Sequence, residues 1–589
     1  MSFSEQPVPV LLSPSRWIEH AFLVQMAAYV FVPFAVGPQC SNQCVGRTLP
    51  GETDLIRERQ NRLLQEQRRR LDELKELPGK PVEPALPTAP TDTRCFPVKG
   101  IDIKGAEHLP TSERESLLKP YVGQCVGITQ LDELLNVITH RYIDKGLVTS
   151  RAYLPQQDLS GGQLSVLVVE GRLEQLQVVP DSGLSAREVA MSFPGREGQL
   201  LNLREVEQMV DQLNRLPSNQ AQMELTPGQT LGGSDVVVKN TLNKPWRASL
   251  SRSNDGQKST GEQQWGASLD WDSPLGLADQ LLLRGGLDAV SDHHRSANNV
   301  FANYNLPWGW WNFTYSYSQS EYRSQAQGNG FDFKQTGDSQ NHQLRAERVI
   351  HRDALSKTSL NAGLSHLRTN NFINDSKLQQ SSNRISEAQL GFNHGRRIGN
   401  VFVNLDLGVQ NGIGAFDAQG EHGPGPGQPT ARYRKYTATL SYLQPFSLWG
   451  ESLSLSSLAT GQRSEDVLFS SQRMSLGGLG SVRGFKDQSL SGDSGAYWRN
   501  DLRWSRPVIW PWLRPALAEY GASLGYDLGV IRSDRYNGDQ HGRVSSSAVE
   551  LFARGTCLAT SVTFAHSLER PDALAEREAP IYFSLSFFL

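Results

Sequence analysis

The sequence predicts a β-dominated fold, with a transmembrane β-barrel over residues 245–589 preceded by two α/β modules and an N-terminal helix. Three observations carry that prediction. From about residue 246 onward, short stretches of alternating polar and apolar side chains recur between clusters of Gly, Asn, Asp and Ser. This is the pattern of strands with one wet and one lipid-facing side. Between 94 and 243 a β-α-α-β-β order is read twice in succession. Finally, the chain is 38% hydrophobic with a mean hydropathy of −0.44. Beyond the N-terminus it holds no apolar run of about 18 residues, which excludes a helical membrane protein and leaves a barrel open. Its 589 residues are too many for one ordinary core. A formal charge of −3 gives no reason to expect nucleic acid as a partner.

The elements follow in order. Residues 21–36, AFLVQMAAYVFVPFAV, form the one strongly apolar stretch, with Arg16 before it and small or polar residues after it. It is short for a bilayer span and suits the core of a secretory signal, so residues 1–44 are expected to be a signal-peptide region. The alternative is an uncleaved anchor. Cys40 and Cys44 lie at the edge of this leader. In an exported chain, Cys95 and Cys125 then remain as a disulfide pair and Cys557 is left over. Closing that loop stabilises a small domain by roughly 3 kcal/mol in the chain-entropy model. Two buried free thiols are the alternative.

Residues 53–77, TDLIRERQNRLLQEQRRRLDELKEL, are helix formers throughout, with Thr53 placed as an N-cap and Pro78-Gly79 as a stop. The helix domain is set at 52–77. Its charges run nearly all round, supported by pairs such as Glu58 with Arg62 and Glu66 with Arg70. Such a helix is polar on most faces, and at about 37 Å it is long enough to run through a barrel. A short coiled coil is the other reading. Residues 78–93 follow as a linker, with Pro78, Pro81, Pro84, Pro87 and Pro90 at the period of a polyproline II spacer.

The first module, 94–170, reads as a strand in FPVKGIDIKG, helices over 111–118 and 129–145, and strands in SRAYLPQQ and QLSVLVVEG. The second, 171–243, repeats the order: LEQLQVV, helices near 185–192 and 203–216, then AQMELTPG and DVVVKN. Within the barrel region, WNFTYSYSQSEY sends Phe313, Tyr315 and Tyr317 to one side and Asn312, Thr314 and Ser316 to the other. The final IYFSLSFFL does the same with Ile581, Phe583, Leu585, Phe587 and Leu589. An amphipathic strand there must close the barrel against the first strand, because an open edge in lipid leaves backbone groups unsatisfied.

Two motifs carry function. Residues 476–485, LGGLGSVRGF, offer one arginine in a glycine-softened loop, and residues 525–529, GYDLG, place a lone aspartate on a later strand. With GLVTSRAYLPQQDLSGGQLSVLVVEGR and LNRLPSNQAQMELTPG in the modules, this chain resembles the two-partner secretion outer-membrane transporters of the haemolysin secretion and activation family. The resemblance implies that the modules are periplasmic POTRA domains, that the barrel has 16 strands, and that residues 52–77 form a plug helix. It further implies that Val482, Arg483, Gly484 and Phe485 lie on a loop tucked into the lumen, with Arg483 meeting Asp527 on the wall. At about 21 residues per strand with its connection, the 344 residues from 246 onward accommodate sixteen strands. Related barrels usually end in phenylalanine, whereas this chain ends in Leu589.

The implied activity is export of a large unfolded partner carrying an N-terminal secretion domain, of the haemolysin, adhesin or contact-dependent toxin type. The POTRA domains bind that partner and no nucleotide is hydrolysed. Outer-membrane lipid is the other partner, and no enzyme activity, cofactor, metal or nucleic acid is expected. GDSG at 492–495 matches a protease nucleophile loop in four letters only, and adjacent His293 and His294 read as a solvated turn. No GxxxxGK[ST] motif is present. A barrel-assembly insertase is the alternative within the superfamily, and a passive porin or adhesin is the alternative from another class.

Overall fold

A computed structural model describes residues 50–77, 95–289, 293–328, 331–379, 381–420, 427–533 and 540–589. The signal-peptide region with Cys40 and Cys44, and the proline-rich linker, lie outside the described residues.

Sixteen antiparallel strands, from Trp246–Ser253 to Ile581–Phe588, close into a barrel. The last strand pairs with the first from Ser584↔Ser253 to Phe588↔Ser249, so neither edge is left open to lipid. A two-residue strand, Ser376–Lys377, only extends one hairpin. Alternation sorts the side chains. In the last strand Ile581 and Phe587 are exposed on the outer face, while Tyr582 is buried on the opposite one. The short connections lie at one end of the barrel, the end that faces the modules. There Trp246, Trp271, Trp308, Trp449, Trp510 and Trp512 are exposed, an aromatic girdle at one membrane boundary.

Each module is a three-stranded mixed sheet covered by two helices. In the first, the central strand Gln163–Val169 pairs parallel with Gly100–Lys104 and antiparallel with Arg151–Tyr153. In the second, Gly233–Leu242 is central between Arg172–Val178 and Asn219–Pro227. Apolar periodicity explains the helices: Leu131, Leu134, Ile138 and Tyr142 of Ile128–Asp144 are buried in the first core. Val206, Met209 and Leu213 of Leu203–Asn214 do the same in the second. The short helix Ala186–Ser192 opens with a capping box between Ser185 and Glu188. At the junction of the modules, burial works against the charge of Glu170, but hydrogen bonds from the His108 backbone, the His108 ring and the Tyr142 hydroxyl hold its carboxyl below the ordinary range.

Three local expectations are corrected. FPVKGIDIKG is two strands, Cys95–Pro97 and Gly100–Lys104, because Pro97 has no N–H and the Lys99 amide turns to Gly162 O at 2.7 Å. Cys95–Pro97 instead pairs with Cys125–Gly127, a strand that three residues are too few to announce, and the Cys95–Cys125 disulfide staples this ribbon with Cα atoms 5.3 Å apart. SRAYLPQQ contributes only Arg151–Tyr153, since Pro155 ends the ladder. The N-terminal helix runs Pro50–Lys75, so Thr53 lies within its first turns and is not the cap; proline, with its preset φ and missing N–H, starts a helix well.

Candidate functional site in the barrel lumen

The helix Pro50–Lys75 touches wall strands far apart around the circumference, which only a helix inside the barrel can do. Arg284 Nη1 donates to Gln65 Oε1 at 2.7 Å, and Arg62 lies over the Phe301 ring at 5.1 Å. Arg70 meets Glu347 at 3.1 Å, and Gln67 donates to Asp406 at 2.6 Å while accepting from Asn404 and Ser441 at 3.1 and 2.9 Å. These contacts explain a sequence polar on nearly every face: the helix is solvated by a polar wall. Arg70 is the busiest member, with Glu66 one turn back at 2.9 Å and Arg345 also on Glu66 at 3.0 Å. Two cations and two anions thus interlock helix and wall. At the helix end, Arg397 Nη1 caps the Leu77 carbonyl at 2.7 Å, and Leu71, Leu74 and Leu77 pack on Phe402.

The long connection between Glu451–Ser464 and Gly495–Pro507 folds back inside beside this helix. Arg59 donates to Ser471 O at 2.9 Å and Gln60 to Ser475 O at 2.6 Å. Leu476, Val482, Phe485 and Leu490 form a small apolar core with Tyr497, Ile531 and Val544 of the wall, and Leu64 of the helix packs against it. That core needs an unusual backbone, which Gly478 supplies at φ +79°.

Polar contacts fix the tip. Arg483 Nε donates to Asp527 Oδ2 at 2.8 Å, Nη2 to Oδ1 at 2.5 Å, and the Arg483 amide to Oδ2 at 2.9 Å. The two-pronged contact matches the planar fork of a guanidinium to a carboxylate. Asp527 is fully buried and Arg483 is 4% exposed. Phe485 and Val482 are buried in the apolar core, and Gly484 is pressed so closely on the wall that a Cβ there would lie 2.5 Å from Ser546 Cβ and 2.8 Å from the Ser567 amide. The structure therefore brings Arg483 and Asp527 together.

The motif alone did not show the rest of the constellation. Arg483 Nη1 also donates to Asp501 Oδ1 at 2.5 Å, Ser546 donates to Asp527 at 3.0 Å, and Tyr582 donates to the Arg483 carbonyl at 3.0 Å. Arg499 lies 3.9 Å from both acids, so two cations face two carboxylates. Asp501 and Arg499 are signalled only as inward charges in AYWRNDLRW, a weak signal among many lumen charges. Gly525 had a legible role in hindsight: a Cβ there would meet Arg483 Nη2 at 2.3 Å, so GYDLG keeps a flat slot for the guanidinium.

The blander motifs resolve simply. Ser494 of GDSG donates to Ser464 O at 2.9 Å and accepts from the Ser464 amide at 3.0 Å, while Asp493 pairs with Arg473 at 2.9 Å. The serine is spent on a turn. His293 and His294 are exposed, as is the free thiol of Cys557.

Comparison with known proteins agrees with this architecture. Residues 232–553 match the family described as haemolysin secretion/activation protein ShlB/FhaC/HecB. Residues 96–171 match a POTRA domain of ShlB type and residues 172–227 a further POTRA domain. The outer membrane transporter CdiB of Escherichia coli O6:K15:H31 (strain 536 / UPEC) is 35% identical over 540 residues, covering 91% of this chain and 90% of that one. The hemolysin transporter protein ShlB of Serratia marcescens is 31% identical over 474 residues, covering 80% and 82%. The solved structure of CdiB from Escherichia coli superposes with a TM-score of 0.87 at 34% identity, covering 93% of this chain and 100% of that one. With the barrel, the paired modules and these matches together, the chain belongs to the haemolysin secretion/activation family, non-catalytic outer-membrane transporters with periplasmic POTRA domains that export a large partner protein by two-partner secretion.

Proposed function

We propose that the exported partner is one very large protein of the haemolysin, adhesin or contact-dependent toxin type, passed unfolded through this barrel after its N-terminal secretion domain is captured by the modules. The observation that supports it most is the occupied lumen. A helix held largely by polar contacts that water can replace, with an infolded loop beside it, fills the space a chain in transit needs. A passive porin has no use for such an occupant, and a barrel-assembly insertase needs no cleared lumen. Capture is by strand addition: Gly100–Lys104 and Arg172–Val178 each form one edge of their three-stranded sheets and offer backbone groups to an extended segment. In this reading 52–77 is the plug, and Arg483 with Asp527 is the latch that positions the loop while the plug withdraws. Nucleotide is not required, because folding of the partner outside prevents its return.

Deleting this gene is expected to remove one very large protein from the cell surface and medium, and a plasmid copy is expected to restore it. An unchanged set of surface and secreted proteins would overturn the proposal.

A further inference from the structure

The second module and the lumen helix meet at one wall side chain. Lys357, at the start of the strand Ser356–Ile373, places Nζ 3.6 Å from Glu73 Oε2 of the lumen helix and 3.6 Å from Asp211 Oδ2 of the module helix Leu203–Asn214. Each anion also has a second cation, on the lumen helix itself for Glu73 and on the barrel wall, at the end of the strand Phe331–Arg352, for Asp211. Arg69 lies 3.5 Å from Glu73 one turn back, and Arg352 donates to Asp211 through Nε and Nη2 at 3.2 and 2.9 Å and to Glu207 through Nη1. Arg352 is almost fully buried, so it is a fixed post. Lys357 is part-exposed on a flexible stem, and its single charge is divided between two elements.

The same module helix rests on the barrel turns. Gln208 and Gln212 both donate to the Gly309 carbonyl at 3.2 Å, and Arg215, just past its end, donates to the Ala278 carbonyl at 2.5 Å. A displacement of this helix therefore moves Asp211 relative to the barrel wall. When Asp211 departs, Lys357 has only Glu73 to pair with; when it presses closer, it draws the ammonium away from Glu73. Glu73 lies in the last turn of the plug, beside the Arg397 cap and the leucines on Phe402, the end that must come free first toward the linker.

We infer that Lys357 is a positioning residue that couples the second module to the plug, so that engagement of a partner by the modules changes how firmly the helix is held in the lumen. The inference rests on the reading of residues 52–77 as the plug. The element with two arrangements is the helix, in or out, and both Glu73 and Asp211 bias it through one cation. Coupling of this kind is reciprocal: if the module influences the helix, the helix influences the module by the same free energy.

The experiment uses the protein in lipid bilayers and in nanodiscs, in five forms: unaltered, Lys357→Met, Glu73→Gln, lacking residues 52–77, and lacking residues 52–77 with Lys357→Met. Methionine keeps an apolar stem and removes the charge; Glu73→Gln, which leaves the wall intact, serves as a second route to the same loss. Both substitutions are expected to raise the fraction of time the pore conducts by about two- to fivefold, the range that part-exposed ion pairs support. Removing the helix leaves the ammonium to Asp211 alone, so it is also expected to slow amide exchange in residues 203–214 of the otherwise unaltered protein, and to do so far less when Lys357→Met is already present. A purely structural lysine would not produce that second result. If removing residues 52–77 fails to raise conductance, the plug reading falls and this inference with it. If removal opens the pore but Lys357→Met and Glu73→Gln conduct like the unaltered protein, the coupling alone is overturned.

Discussion

Replacing Arg483 with alanine is expected to abolish most secretion of the partner while the barrel still inserts and resists heat as a folded band on gels. The substitution strips Asp527 of two side-chain hydrogen bonds and leaves a fully buried carboxylate with the residue 483 amide, Ser546 and a guanidinium, that of Arg499, at 3.9 Å. The amide contact comes from the backbone, but it persists only while the loop stays docked. Breaking one partner of a buried pair costs about 3 to 5 kcal/mol, and water in the lumen keeps the loss toward the lower figure. Even about 3 kcal/mol shifts the docked-to-undocked ratio of the loop more than about a hundredfold. The barrel itself is held by sixteen ladders and does not depend on the loop. Arg483→Lys should rescue little, because a lysine cannot supply both prongs to Asp527 and a third contact to Asp501. Tyr582→Phe is the informative control, since it removes one hydrogen bond worth about 1 kcal/mol and should leave secretion near normal. Normal secretion by Arg483→Ala would remove the latch from the account.

Deleting residues 52–77 is expected to convert a nearly silent pore into one that conducts most of the time. The helix fills the lumen from Gly51, whose Cβ position lies against the Tyr322 ring, to Leu77 at the module end. It leaves behind Glu347, Asp406, Arg345 and Arg284, a mixed-charge wall that water and ions can occupy without rearrangement. The increase is read as single-channel conductance in planar bilayers. A pore that remains silent without the helix would show that the infolded loop, and not the helix, is the closure.

The fold was legible because its signals are long and repeated. Sixteen amphipathic strands each restate the same period, and a β-α-α-β-β order given twice is hard to produce by chance. Single elements were less legible. The helix starts a few residues before the position its sequence suggests, because Thr53 is a good cap in isolation whereas Pro50 is a better first residue. FPVKGIDIKG looks continuous in sequence because its break depends on a hydrogen bond to Gly162, distant in sequence and invisible to local pattern.

At the site the division is similar. Arg483 and Asp527 stand in compact motifs, and a resemblance could point to both. Asp501, Arg499, Ser546 and Tyr582 come from separate strands, and only barrel closure and register bring them to one point. In sequence, the charges of the helix show only a polar surface. Their partners, Glu347, Asp406 and Arg345, could not be named without knowing which wall residues face inward at the same height.

The most direct test is to hold the helix in place and ask whether the partner still passes. Gly395 of the wall and Leu74 of the helix are in contact, with a Cβ at Gly395 placed 2.8 Å from Leu74 Cδ2. Leu74→Cys with Gly395→Cys, in a Cys557→Ser background, should form a tether in the oxidising periplasm. Secretion of the partner is then measured with and without a reductant that enters the periplasm. Arrest of secretion while the tether is closed, and recovery once it is reduced, is the predicted result; export at the unaltered rate with the tether shown to be closed would contradict the account.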